Sequence, residues 1–352
     1  MSLTKAPVDY SSNDGIRLPK RHDLRTQRAV KIGALVFAVI ALSSVTLLLG
    51  RYTVTIPDFF RILGGADIPG ASFIVMENRL PRVIIGVMIG AAFGVAGAIF
   101  QTMLRNPLAS PDIIGISYGA SASAVFAIVL LGASGLVLSG FAMIGALAVA
   151  LAIYFISRRG GVAGYRLILV GIGFSAVLQS VVSFLLTRTD INVATDALVW
   201  LNGSLNSSNW DRVSVLALAL MVLAPAVVAL SRSLRGLELG DDTAAGLGVN
   251  VERSRLSLIV TGVLLAAVAT AAAGPVSFIA FLSGPIARRF LNGHRPLLTA
   301  GLVGAVIVLA ADFIGANLIP DVSLPVGVIT GVLGAPFLLW LLATSNRSGQ
   351  GG

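Results

Sequence analysis

The sequence predicts an all-α, polytopic bundle of about ten membrane-spanning helices. Three observations carry that expectation. Hydrophobic residues make up 56% of the 352 residues and charged residues only 12%, about half the charge a soluble domain carries. Apolar runs close to the roughly 20 residues needed to cross a bilayer recur along the chain. Of the 25 lysines and arginines, nineteen fall on one side of the alternating loops if the N-terminus is inside, as the positive-inside bias requires.

Taken in order, the apolar runs are 32–50, 83–104, 114–131, 136–157, 167–187, 213–230, 256–273, 297–319 and 325–343, with a shorter stretch at 276–287. Gly274-Pro275 and Gly284-Pro285 bound the short stretch, and its status decides the topology. As a span it makes ten and leaves both termini on one side. Otherwise the basic loop 288–295, Arg347 and the C-terminus move outward, against the charge bias. The expected organisation is a polar N-terminal tail over 1–30, a transmembrane domain over 31–345 and a short C-terminal tail over 346–352. Many of the 39 glycines fall at helix-packing spacings, such as Gly86/Gly90/Gly94 and Gly301/Gly304, where small residues let backbones approach.

Composition also excludes chemistry. With no cysteine and two histidines, His22 and His294, thiolate catalysis and cysteine-ligated metals are ruled out. No metal, cofactor or catalytic residue is expected, and no nucleophile–base constellation points to an enzyme. No G-x-x-x-x-G-K-[ST] occurs, so the chain has no phosphate-cradling loop of its own. The tail, with Lys5, Arg17, Lys20, Arg21, Arg25, Arg28 and Lys31, reads as a cytoplasmic segment near anionic membrane lipid. No folded basic module accompanies it, so no nucleic-acid partner is expected. Asp312 is the only acid deep in a predicted span. One carboxylate is weak support for ion coupling, and a structural bond to a neighbouring helix is the preferred reading.

Three connections carry the functional signal. Arg79-Leu-Pro-Arg82, on the outer side, either anchors its helix at the headgroups or presents a cationic patch to an acidic partner. The stretch from Arg105 to Gly115, RNPLASPDIIG, is inner and nearly uncharged. Its two prolines forbid a continuous helix, so it is either a tight hairpin loop or a lining of a translocation path. The inner loop Leu237 to Arg255 can form a short helix over Asp241–Gly246, with Asp241, Asp242 and Thr243 in its first turn and Gly246 and Gly248 to end it. It is either a solvated loop or a docking helix for a soluble partner.

The string RLPRVIIGVMIGAAFGVAGAIFQTMLRNPLASPDIIGISYG from Arg79 to Gly119 resembles the FecCD/BtuC group of ABC importer permeases. The stretches GDDTAAGLGV, GPVSFIAFLSGPIARRF and LPVGVITGVLGAPFLLWLL are similar to further motifs of that group, so the resemblance spans about 30–345. It implies a type II ABC importer permease fold of ten helices in a bacterial cytoplasmic (inner) membrane, with both termini cytoplasmic. It implies a second permease subunit, a cytoplasmic ATPase dimer that carries the ATP hydrolysis, and an extracytoplasmic siderophore-binding protein. By position it assigns ATPase coupling to Leu239, Gly240, Asp241, Asp242, Thr243, Ala244, Gly246, Leu247 and Gly248. It assigns docking of the binding protein to Arg79 and Arg82, and the cytoplasmic gate of the path to Asn106, Pro107, Leu108 and Gly164. The sequence departs from the group's pattern at Gly284-Pro285, Ser323 and Ala316, which suggests pairing with a different permease. The expected function is import of iron(III)–siderophore complexes, with cobalamin or haem import as the alternative, and an ion-coupled secondary transporter as the alternative from another class.

Overall fold

The computed structural model describes residues 21–50, 52–112, 114–157, 164–291, 296–318 and 323–345. The tail residues 1–20, Arg51, Arg158, Arg159, His294, Arg295 and the tail 346–352, including Arg347, lie outside the described residues. The helices are α1 (Arg21–Leu48), α2 (Ile56–Leu63), α3 (Ala71–Phe73), α4 (Leu80–Met103), α5 (Ile116–Leu131), α6 (Gly135–Ser157), α7 (Gly164–Thr187), α8 (Ile191–Leu201), α9 (Trp210–Glu238), α10 (Asp241–Gly246), α11 (Val251–Ala273), α12 (Ile279–Leu291), α13 (Pro296–Asn317) and α14 (Val326–Ser345). There is no strand among the described residues. Seven helical runs are long and apolar enough to cross a bilayer by themselves.

The first correction to the sequence reading concerns the second span. It begins at Ala71, not near 83, because α3, a π-helical stretch Ile74–Arg79 and α4 form one run. Pro81 sits where an ordinary helix would need its N–H and would meet the carbonyl one turn back. The wider π turn, with Leu80 N–H donating to Val75 O, accommodates the proline without breaking the run. The second correction adds α2 and α8 to segments read as connections. Thr55 caps α2 by accepting from the Asp58 N–H at 3.3 Å, a strong N-terminal signal beside Pro57. Ile62 of α2 packs with Val54, Ala71 and Val75, while Ile56, Phe60 and Leu63 stay exposed, the pattern of a helix lying in a membrane interface. At the N-terminus α1 starts at Arg21, so its first turns belong to the segment read as the polar tail.

The bundle is built on α4, whose small residues face two neighbours. A Cβ on Gly90 would lie 2.6 Å from Gly304 O, and one on Gly94 would collide with Ala300 O. With Gly86 against Val308 and Leu309, this register makes α4 and α13 antiparallel. Gly97 lies against Ala280, and Gly284 against Gln101, so α12 runs parallel to α4. Gln101 crosses this seam, its Nε2 donating to Phe281 O at 3.0 Å while its Oε1 accepts from Arg288 Nη2 at 3.0 Å. Without a hydrophobic drive between helices in lipid, such backbone approach and polar crosslinking supply the association.

The same contacts settle the direction of the later helices. Trp210, at the start of α9, donates to Met76 O at 2.9 Å, and Gly240, beyond its end, lies beside Arg105 at the end of α4, so α9 parallels α4. The start of α11 is tied to α10 by Arg255 and Asp241, and its end meets Arg212 of α9, so α11 is antiparallel to α9. Helices α9, α11, α12 and α13 therefore alternate in direction, and the 13-residue α12 runs back between α11 and α13. Lys31 of α1 donates to Phe290 O at 2.8 Å, and Arg289 stacks on Trp340 of α14 at 5.3 Å. The first turns of α1 and the later turns of α14 thus lie at the end of the bundle that carries Asp241, opposite the end that carries Asp312.

At the Asp312 end two arginines hold the frame. Arg79 is buried and donates to Leu47 O at 2.8 Å and to Tyr52 O, closing carbonyls left open where α1 ends. Arg82 forms a two-bond ion pair with Asp312, Nε to Oδ2 at 2.8 Å and Nη2 to Oδ1 at 2.9 Å. The two side chains are 17% and 4% exposed, so the pair clasps α4 to α13 where an unpaired charge is costly.

Two outcomes test this frame in detergent-purified protein. Gly97→Leu should destabilise the bundle by on the order of 3 kcal/mol through overpacking, read as a lowered thermal midpoint, whereas Gly173→Ala, with open space beside it, should leave the midpoint unchanged. Arg82→Ala should cost about 3–5 kcal/mol by stranding the Asp312 carboxylate, and the double variant Arg82→Ala/Asp312→Ala should recover much of that loss.

Candidate functional site

The Asp241 end is shaped by the way α9 hands over to α11. Leu234 and Leu237 are buried in the last turns of α9, and Gly240 takes φ +107°, a conformation open to glycine and strained for other residues. That turn starts α10, where Asp241 and Asp242 occupy the first turn and favour the positive end of the helix. Gly248, at φ +82°, ends the segment, its N–H donating to Ala245 O at 2.9 Å. The helix forms over Asp241–Gly246 as the sequence suggests.

Only one side of α10 is engaged. Ala244 is fully buried, and Arg255 Nη2 donates to both carboxylate oxygens of Asp241 at 3.0 and 2.9 Å. The outer side, with Asp242, Thr243, Ala245 and Gly246, is exposed. Leu239 and Leu247 flank it at 62% and 65% exposure, an apolar pair beyond the last turn of a span where a soluble partner can reach them. The helix is held on one side and bare on the other, and Arg105, beside Gly240, links it to the segment after α4.

That segment, 104–115, is irregular, yet Ala109, Ser110, Pro111, Ile114 and Gly115 are buried. Irregular backbone at such depth requires cover by protein or by a polar cavity, and both are present. Asn106 Oδ1 accepts the Leu108 N–H at 2.9 Å, and Asn106 O accepts the Ala109 N–H at 3.1 Å, so Asn106, Pro107 and Leu108 form one turn. Beyond it, Ser110 and Asp112 enter a cavity of about 580 Å³ bounded also by α5, α7, α12 and α14. Ser117, Ser121, Ser175 and Gln179 add hydroxyl and amide groups to its wall, and among the described residues no lysine, arginine or histidine lines it. Asp112 accepts from Ser117 Oγ. Gly164 is the first residue of α7, one of the cavity's helices, and the preceding stretch 158–163 lies outside the described residues.

The sequence-expected residues therefore fall into three places. Leu239 to Gly248 form one surface, Asn106 to Leu108 form a turn in the segment that goes on to Ser110 and Asp112 of the cavity wall, and Arg79 and Arg82 lie at the opposite end with partners inside the chain. The sequence reading offered a path lining as one of two alternatives for the 105–115 segment, and Ser110 and Asp112 of that segment do line the cavity; the wall residues on α5 and α7 escaped it. A signal was present in the spacing Asp112, Ser117 and Ser121, because Ser117 and Ser121, four apart, share a face of α5.

Comparison with known proteins follows the same outline. Residues 35–344 match the FecCD transport family. The chain is 42% identical over 299 residues to the ferric enterobactin transport system permease protein FepG of Escherichia coli (strain K12), covering 85% of this chain and 91% of the relative. It is 38% identical to the achromobactin transport system permease protein CbrC of Dickeya dadantii (strain 3937), covering 93% and 94% of the two chains. It is 37% identical to the Fe(3+)-citrate import system permease protein YfmE of Bacillus subtilis (strain 168), covering 92% and 98%. Among solved structures, an inward-facing metal-chelate type ABC transporter superposes with a TM-score of 0.76 at 25% identity, over 89% of this chain and 98% of that one. With a bundle built for a bilayer, an exposed helix at one end and relatives matched over nearly their whole length, this chain belongs to the FecCD transport family.

Proposed function

We propose that this chain is the membrane-spanning permease subunit of an ATP-driven importer of iron(III)–siderophore complexes in a bacterial cytoplasmic membrane. The observation that carries the reading is the juxtaposition of α10 with the 104–115 segment. A helix exposed for docking touches, through Gly240 and Arg105, the segment whose Ser110 and Asp112 form part of the wall of a polar cavity. The chemistry named for the relatives, import of enterobactin, achromobactin and ferric citrate complexes, supports the cargo.

In this reading the Asp241 end faces the cytoplasm. It gathers Lys31, Arg105, Arg232, Arg235, Arg253, Arg255, Arg288 and Arg289, against Arg61, Arg79, Arg82, Arg188 and Arg212 elsewhere among the described residues, in keeping with the positive-inside bias. Both termini are then cytoplasmic. A dimeric ATPase docks on Leu239–Gly248, and its closure on ATP moves α10 and hence the Asn106–Leu108 turn, while the cavity exposes hydroxyls and amides that bind the chelate weakly enough to release it. A second, different permease completes the path across α5, α7 and α14, with Gly164 at its cytoplasmic mouth. A siderophore-binding protein docks at the Asp312 end. Arg82 contributes there by exchanging Asp312 for an acidic group of the binding protein, and Arg79 supports the corner beneath it. The subunit performs no covalent chemistry. Ion coupling through Asp312 is disfavoured because Arg82 holds that carboxylate.

Replacing the exposed pair, Leu239→Asp/Leu247→Asp, should cut uptake of radiolabelled iron–siderophore by about tenfold or more, the scale of losing an interface hot spot. The ATPase should fail to co-purify while the thermal midpoint of the permease stays unchanged. Uptake that persists without an associated ATPase would overturn the assignment.

A further inference from the structure

Among the described residues, Arg105 and Phe278 alone take positive φ without being glycine. Arg105, at φ +49°, opens the segment that carries Ser110 and Asp112 of the polar cavity. Phe278, at φ +67°, lines the same cavity from the connection between α11 and α12. This region of backbone space is costly for a bulky side chain, and such strain persists only where the surroundings over-determine it.

Phe278 is held from three sides. On the Asp312 side, the connections α8–α9, α11–α12 and α13–α14 meet backbone to backbone. The Ser204 N–H donates to Ala273 O at 2.7 Å, the Gly327 N–H donates to Gly203 O at 3.3 Å, and a Cβ on Gly203 would lie 2.6 Å from Pro275 O. On the other side, Phe278 O accepts the Leu282 N–H at 2.8 Å and so starts α12. Laterally, a Cβ on Gly334 of α14 would collide with the Phe278 ring, so the ring fills space that any other residue on α14 would claim. The Phe281 ring stands edge-on to it at 6.2 Å.

The same contacts fix the depth of the ring. Pro275 O lies beside Gly327 and the ring beside Gly334, about 10 Å further along α14 at 1.5 Å per residue. The connection therefore descends into the bundle before α12 begins, which accounts for the 13 residues of that helix. Along the axis the ring stands between Leu201 and Pro275, at the Asp312 end of the cavity, and Ser110 and Asp112, which arrive from the Asp241 end.

We propose that Phe278 is a gate of the polar cavity. In the left-handed conformation its ring rests on Gly334 and closes the cavity between the Asp312 end and the Ser110–Asp112 side. A turn to ordinary negative φ lifts the ring off α14 and opens that way. Strain favours release and the three-way junction opposes it, so displacement of the junction works the gate. The use of the gate in import rests on the transport reading above, whereas the closure itself does not.

The test uses the assembled transporter in intact cells and the absence of cysteine from the chain. Ser175→Cys, in the cavity wall beside Gly115, reports access past the ring. Asn206→Cys, exposed in the α8–α9 connection, reports the outer surface. A membrane-impermeant maleimide applied from outside should label Ser175→Cys slowly in the otherwise native chain. Phe278→Gly removes the ring and relieves the turn, while Gly334→Ala keeps the ring and displaces it. Each should speed that labelling by about tenfold, a population change that the strain of one residue can supply. The two effects should not add, because Gly334→Ala has no ring to displace once Phe278 is glycine. Phe278→Tyr should stay slow, and Asn206→Cys should label alike in every background. Ser175→Cys labelling as fast as Asn206→Cys in the native background would overturn the proposal, as would slow labelling in Gly334→Ala or additive effects of the two changes. Should Phe278→Gly fail to reach the membrane, Gly334→Ala alone decides. The readout needs neither iron nor ATP, so loss of iron uptake with these labelling rates intact would count against the transport reading alone.

Discussion

The approach of α4 to α13 and α12 is the constraint on which the rest of the molecule depends. Lipid offers no hydrophobic reward for joining helices, so the bundle must be held by contacts that lipid cannot imitate. Gly90 against Gly304, Gly94 against Ala300 and Gly97 against Ala280 bring backbones together at distances no side chain would permit. This seam fixes α4 beside one antiparallel and one parallel neighbour, and so sets the direction of the 13-residue α12. Gln101 and the Arg82–Asp312 pair then lock the register from opposite ends of the same seam.

Because the seam is rigid, movement is left to what hangs from it. The segment after α4 emerges from the seam into an irregular path and meets α10, which is fixed by Ala244 and Asp241 on one side and bare on the other. The polar cavity lies on the far side of that segment. Force applied at the exposed face of α10 therefore has a short route to the cavity wall, through Gly240 and Arg105, that avoids the packed glycines.

Much of this was legible in the sequence. The expectation of ten crossings followed from apolar length and basic-residue bias. Seven helical runs among the described residues are long and apolar enough to cross by themselves, and α9, α11, α12 and α13 alternate in direction as that expectation requires. The short helix over Asp241–Gly246 was legible because its glycines and acids are local signals. Helices α2 and α8 were not, because each is too short to register as a span and each draws part of its stability from the bundle beneath. The start of the second span was hidden by Pro81, which ordinarily ends a helix and here is absorbed by a π turn. The partners of Arg79 and Arg82 were invisible for a different reason, since Leu47 and Asp312 lie far away in sequence. The preferred structural reading of Asp312 agrees with its bond to Arg82, although nothing local named that arginine as the partner.

The most direct test of the architecture exploits the absence of cysteine from the chain. Single cysteines placed at Asn206, Ser323 and Ala245 are each the sole target for a membrane-impermeant maleimide applied to intact cells. If α12 is a crossing and the Asp241 end is cytoplasmic, Asn206→Cys and Ser323→Cys label from outside, whereas Ala245→Cys labels only after the membrane is opened. Labelling of Asn206→Cys from outside with protection of Ser323→Cys would mean that α12 does not cross, and the seam that organises the bundle would be wrong.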